Sequence, residues 1–570
     1  MLINKTDKNI VASLLAFEVS FCLMFFIFIS LFKEPQYYST KVIIISFAIV
    51  LFWLILMLFS MKGKFHLCYF GILLLFLFVS LYIIRVVWFS SYLGLFPELS
   101  FFKGLNRPDT FYHSTLCEAI KNFGHPSLLQ GGIALHKYHC LSHFIMAFVS
   151  KVFKLPCLIS YNYIYPMLFL PLFVYLFFQA SGALSERLVN KRFFSVVDLV
   201  FSIFIFIGFL PIKYSNTVGI WWNDIFLSES YCVSLVFLLI YFILIDKIEK
   251  TKYGNSLSCF LITSIFLFII TASKVSTGVI FFILLLWIYI RVKGVRISSL
   301  LFASFIGVLL LFCLSLVLRE NENIFKKMEI NWFHFIKTYI DYEYQISHIF
   351  FILFPSLLLF FLTKKTTPYK EYCRNKISIL AEASIICSCC GLLPSVLLSI
   401  YGGSAAYFFL PAIFISLFFL FCSHEVQKRF VSLGMGVKIL VSLLVLITYG
   451  ESCIKYISPY DIMAKTCKDK QETSRVVDEP FYNTLSAINR LTEGKKKNYC
   501  LFLSSDCEIF NLFGQGYMGL SAITAYLGMP LIEVLDENQL ISDEILIQRA
   551  KEKHFSNVIL LKSDKYRIIK

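Results

Sequence analysis

The chain has 570 residues, of which 58% are hydrophobic, 18% aromatic and only 15% charged. That balance excludes a soluble globular protein and leaves a polytopic α-helical membrane protein as the fitting class. The net charge of +16 does not indicate a nucleic-acid partner, because the Lys and Arg fall in short clusters between apolar runs and form no basic stripe.

Apolar runs of roughly 17–25 residues predict about thirteen membrane spans. They cover 10–32, 41–60, 66–89, 158–179, 196–212, 230–246, 256–273, 276–291, 298–318, 348–363, 377–400, 405–423 and 434–450. The first run is too long for a signal-peptide core and lacks a small-residue cleavage site, so it reads as a true span. The runs on either side of Lys274 are separated only by TASKVSTG and predict a tight hairpin. Basic residues mark nearly every alternate connection, among them Lys62, Lys64, Arg187, Arg192, Lys247, Arg291, Lys293, Lys365 and Lys428. By the positive-inside rule the N-terminus is then cytoplasmic in a multi-pass cytoplasmic (inner) membrane protein. The same register divides the chain into a transmembrane domain over 1–450, with an extracytoplasmic loop at 90–157 carrying amphipathic helices, and a C-terminal extracytoplasmic domain over 451–570.

The first long polar interruption is 106–143, which holds five of the ten histidines: His113, His125, His136, His139 and His143. Pro108 and Asp109 open a helical pattern with Leu116, Ala119, Ile120 and Phe123 on one face, stopped by Gly124 and Pro126. Asp109 suits a helix cap. A carboxylate fixed there at a membrane surface also suits a general base or a metal ligand. His113 follows it by four residues, and His139 and His143 repeat that spacing in a second amphipathic segment that opens at Tyr138. Imidazoles so spaced can grip a divalent ion. Asp109 and His139 are the candidate ligands, and Mg or Mn the candidate cofactor.

Further along, Glu229 in WWNDIFLSES lies at the edge of an apolar run, where a carboxylate is costly without a task or partner. It is the second candidate catalytic acid. Lys274 is a lone cation between two spans; it can snorkel to the interface, or bind a lipid phosphate with help from the free N–H groups of the following helix. Tyr407, after the Gly402–Gly403 turn, is a candidate substrate contact beside small residues that allow close helix packing. The segment 319–348 predicts an amphipathic surface loop. From residue 451 the composition turns polar. CLFLS (500–504) and VILLK (558–562) predict strands, and 521–527 and 543–554 predict helices, the first ended by Gly528. This is a small α/β domain without a Gly-rich phosphate loop. Among the seventeen cysteines no CxxC pair suggests zinc; Cys500 and Cys507 are placed to pair if the tail is extracytoplasmic.

The many spans, the early acidic loop and the C-terminal domain together resemble the GT-C superfamily of membrane glycosyltransferases. Locally, Asp109, His113, Gly124, Pro126, Tyr138 and His139 look like the first-loop pattern of bacterial GT-C-like proteins, and Lys274–Ser276–Gly278 and Ala406–Tyr407–Phe408 look like their later patterns. The resemblance implies transfer of a sugar from a polyprenyl-phosphate-linked donor to a glycan, lipid or protein acceptor at the outer face of the membrane. Asp109 would take the acceptor proton, with His113, Tyr138, His139 and Tyr407 lining the substrate site. Lys274 or a cation would steady the departing phosphate. Two rivals have weaker footing. An O-antigen polymerase or ligase would lean on outer-loop arginines, which are scarce here, and a transporter or flippase of lipid-linked glycans calls for mid-span charges or repeated halves.

Overall fold

The computed structural model describes residues 108–165, 229–250, 256–318, 376–399, 407–423, 479–513, 517–537 and 541–570, with scattered positions among 48–51, 169–184, 329–330 and 353–363. In chain order the helices are α1 (Pro108–Phe123), α2 (Leu141–Phe153), α3 (Glu229–Lys250), α4 (Ser256–Ser273), α5 (Val275–Lys293), α6 (Ile297–Leu318), α7 (Lys376–Leu397), α8 (Phe409–Cys422), α9 (Glu479–Thr492), α10 (Glu508–Phe513), α11 (Tyr517–Leu527) and α12 (Asp543–Glu552). The strands of the main sheet are β1 (Tyr499–Ser504), β2 (Leu531–Leu535), β3 (Asn557–Lys562) and β4 (Lys565–Ile569). Two compact units result. One joins 70–168 to 457–570, and the other includes 169–456. The division near residue 456 falls close to the expected one at 450, but the histidine-rich segment groups with the C-terminal residues and not with the helices that follow it.

The α/β unit shows why. Its sheet has the order β2-β1-β3-β4, parallel except for the antiparallel β3–β4 pair. Strand side chains alternate between faces, so Leu501 and Leu503 of β1 enter one cluster while Cys500 and Phe502 enter another. The first cluster also takes in Phe111 of α1 and Leu158. The early segment thus supplies part of the core. Backbone bonds tie it further, from Leu531 N to Leu129 O at 2.7 Å and from Gly131 N to Leu531 O at 2.8 Å. Gly528 ends α11 with a left-handed φ of +62°, and a Cβ there would stand 2.7 Å from Glu118 Oε2. Only glycine fits that junction of α1 and α11 without strain.

Cys500 and Cys507 are both free and buried. They fall in separate clusters on the two sides of β1, so the expected pairing does not form. Burial pushes both thiols up to about 12, and they serve as small core residues.

In the helical unit, six of the anticipated apolar runs are helices α3 to α8. Lys274 alone joins α4 to α5, in an extended conformation (φ −155°, ψ 116°). A Cβ on Gly278 would lie 2.8 Å from Thr271 Cα, so the two helices fold back on each other as the predicted hairpin. Inward-facing hydroxyls link neighbours: Ser388 to Ser416 at 3.0 Å, Ser234 to Thr277 at 2.9 Å and Tyr241 to Thr263 at 3.2 Å. Arg291 and Glu382 form a two-pronged ion pair at 2.6 and 3.1 Å.

Among the described residues the figure of about thirteen spans is not supported. Among the described residues, Val275–Val292 is the single helix both long and apolar enough to cross a bilayer. The other apolar helical stretches among the described residues are 10–17 residues long. The runs at 10–32, 66–89, 196–212 and 434–450 lie outside the described residues, that at 41–60 lies largely outside them, and those at 158–179 and 348–363 are described in part.

Candidate functional site

The residues singled out by sequence divide between the two units. In the α/β unit, Pro108 occupies the first helical position of α1, which its fixed φ favours. Asp109 follows in the first turn and is exposed. There its negative charge complements the free N–H groups of the helix start. The side chain expected to be the main catalytic group is thus exposed at a helix start.

Behind it lies a cluster of imidazoles and phenols. His113 Nδ1 and His143 Nε2 are 2.8 Å apart, and His143 is fully buried. One imidazole donates and the other accepts, with the direction set by the tautomers. The His113 ring stacks on Tyr161 at 5.5 Å and on His143 at 5.0 Å. Tyr112 Oη bonds His136 Nε2 at 2.9 Å. Tyr138 covers the group, its ring 5.8 Å from His143 and 3.7 Å from His139.

His113 and His143 are the residues here that could hold a metal ion. Two nitrogens at ~2.05 Å from a tetrahedral ion stand roughly 3.3 Å apart, so the pair would have to open slightly to admit one. The expected ligands Asp109 and His139 are not the pair that meets. Spacing showed which residues share a helix face; it did not show that α1 and α2 would bring His113 to His143.

In the helical unit a second group forms around the α4–α5 hairpin. Lys274 is 7% exposed, and its ammonium sits 4.5 Å from the Tyr231 ring centroid and 5.1 Å from that of Tyr407. Both distances suit attraction between a cation and a ring face. Tyr231 Oη donates to Tyr407 O at 2.6 Å and accepts from Ser276 Oγ at 3.2 Å. Glu229, fully buried, opens α3 two residues before Tyr231. Lys274 is also the N-cap residue of α5 and makes no side-chain cap bond, so it leaves the first amides of that helix for another partner. Sequence reasoning named Glu229, Lys274 and Tyr407 separately. Tyr231, which meets both Lys274 and Tyr407, carried no signal in its own neighbourhood.

Glu118 also escaped notice. It is 1% exposed, and its carboxylate accepts from Cys157 N at 2.7 Å, Asn122 Nδ2 at 3.0 Å and Lys121 Nζ at 3.3 Å. Burial alone would raise its pKa. Lys121, Lys496 and the Cys157 amide outweigh that and hold the carboxyl below its ordinary value.

No family model, no curated protein and no solved structure matches this chain.

Proposed function

We propose that the chain is a polytopic membrane glycosyltransferase in which Lys274 binds the phosphate of a polyprenyl-phosphate sugar donor. The supporting observation is the Lys274 ammonium, buried at a one-residue break between two apolar helices and faced by Tyr231 and Tyr407. A cation in such a place is costly unless it has a task. The uncapped start of α5 adds backbone donors suited to an anion.

Membrane placement is supported by what the helical unit turns outward. Leu257, Leu261, Ile265 and Phe268 of α4, and Leu301, Phe305, Val308 and Phe312 of α6, are exposed at helical spacing. A contiguous apolar surface of that kind marks contact with a partner or with lipid. In this reading the inner membrane holds the helical unit, and the acceptor is a glycan, lipid or protein.

Glu229, in the same unit as Lys274, is the general base for the acceptor hydroxyl, and Lys274 receives the charge on the leaving polyprenyl phosphate. Asp109 keeps its helix-start role. The His113–His143 pair is the candidate seat for a divalent cation, Mg or Mn, and no step is assigned to it.

The test is a binding and transfer assay on the full-length protein in lipid nanodiscs. The wild type should retain undecaprenyl phosphate in preference to undecaprenol, and Lys274→Met should erase the preference while Lys274→Arg keeps part of it. With a polyprenyl-phosphate sugar as donor, Glu229→Gln should slow transfer by ~10²–10⁴-fold and Asp109→Asn should leave it unchanged. Equal retention of the phosphate and the alcohol by the wild type sinks the proposal.

A further inference from the structure

The α/β unit holds a charged feature that neither cluster uses. An open cavity of about 670 Å³ is walled by residues of α1, α2 and α9 and by the turn before β1. Seven cationic side chains line it against two carboxylates, Glu118 and Glu493. At its floor Glu118 is already answered by Lys121 at 3.3 Å. Lys496 is tied down as well, donating to Leu527 O and to Asn489 Oδ1. The excess charge lies on the rim, where Lys151, Lys154, Lys495 and Lys497 are exposed and make no ion pair among the described residues.

A second observation says what faces this rim. Helix α2 exposes Phe144 (43%), Phe148 (68%) and Val152 (56%). With Lys151 these occupy positions i, i+4, i+8 and i+7 of one helix face. The opposite face, with Met146, Ala147 and Ser150, is buried. A short helix with one face packed on protein, aromatics on the other and lysines at its end matches a segment lying in the surface of a bilayer.

We propose that α2 rests in the membrane surface and that the adjoining basic cavity takes the phosphate of an anionic phospholipid headgroup. Phe144 and Phe148 enter the acyl boundary, and Lys151, Lys154, Lys495 and Lys497 surround the phosphate. Each lysine near an anionic bilayer strengthens association about fivefold. The inference rests on the membrane placement proposed above, and is independent of sugar transfer.

The experiment uses the full-length protein in micelles containing equal amounts of phosphatidylglycerol and phosphatidylcholine, followed by washing and measurement of the lipid retained. The wild type should be enriched in phosphatidylglycerol. The Lys151→Gln/Lys154→Gln/Lys495→Gln/Lys497→Gln variant should lose that enrichment at least tenfold, with the melting curve as a check on folding. In the unmodified protein the enrichment should also fall as salt rises, since exposed charges are screened. The proposal is overturned if the variant keeps the enrichment, if salt leaves it unchanged, or if inorganic pyrophosphate binds while phosphatidylglycerol is not enriched. Release of the wild-type chain from cell membranes by alkaline carbonate would instead refute the membrane placement itself.

Discussion

The two units of this protein differ most in the apolar side chains that they turn outward. In the α/β unit, β1 is apolar on both sides and feeds a separate cluster on each face of the sheet. The helical unit keeps hydroxyl pairs such as Ser388–Ser416 and Ser234–Thr277 inside and turns Leu261, Ile265, Phe305 and Val308 outward. The first pattern is what water selects, since burying apolar area is the main driving force there. The second suits lipid, where apolar surface costs nothing and inward hydrogen bonds hold helices together. On the membrane placement proposed above, the direction in which apolar side chains point separates two solvents within one chain.

The contrast can be broken most severely at Glu118. Glu118→Gln leaves Lys121 and Lys496 facing a neutral amide, and loss of one partner from a buried ionic group costs roughly 3–5 kcal/mol. A fall of the α/β unit's melting transition should report it. The sign with pH follows from the carboxyl being held below its ordinary 4.5. The stabilisation is full above pH 4.5 and is lost as pH drops through the lowered folded value, so the variant should show a flatter acid limb in a pH–stability profile.

A paired substitution sharpens the comparison itself. Leu503→Ala, at a fully buried site, should destabilise the α/β unit by about 2–5 kcal/mol. Leu261→Ala, at a residue 50% exposed on α4, should cost under about 1 kcal/mol in lipid, as expected for a site away from any packed core. Equal losses would show that α4 is packed against protein and that its outward face is no lipid contact. An effect between those two is expected at Gly528. Gly528→Ala meets both a left-handed backbone and Glu118, which should cost about 1–3 kcal/mol and be visible as faster proteolysis near the α11–β2 turn.

Much of the secondary structure was legible in the sequence. The strands at 500–504 and 558–562, the stop at Gly528 and the helix opened by Pro108 all rest on local pattern, and the structure places them within a residue or two. Strand β2 was not legible, since LIEVL is short and carries Glu533. The site was legible one residue at a time. Glu118 looked like an ordinary polar position because its burial comes from Gly528 and Cys157, far along the chain. His143 was visible as a neighbour of His139, yet its partner is His113 on another helix. Local spacing gives faces; which faces meet depends on packing between distant segments.

The shared core of the α/β unit also sets an order of manufacture. Phe111 is synthesised roughly 450 residues before Ile559, the neighbour it joins in one cluster, and ribosomes add about 5–20 residues per second. The early segment must therefore wait roughly 20–90 s with its apolar face uncovered. A chain that stops short of β3 leaves that face permanently open, so even small truncations at the C-terminus should mark the nascent protein for chaperone capture or degradation.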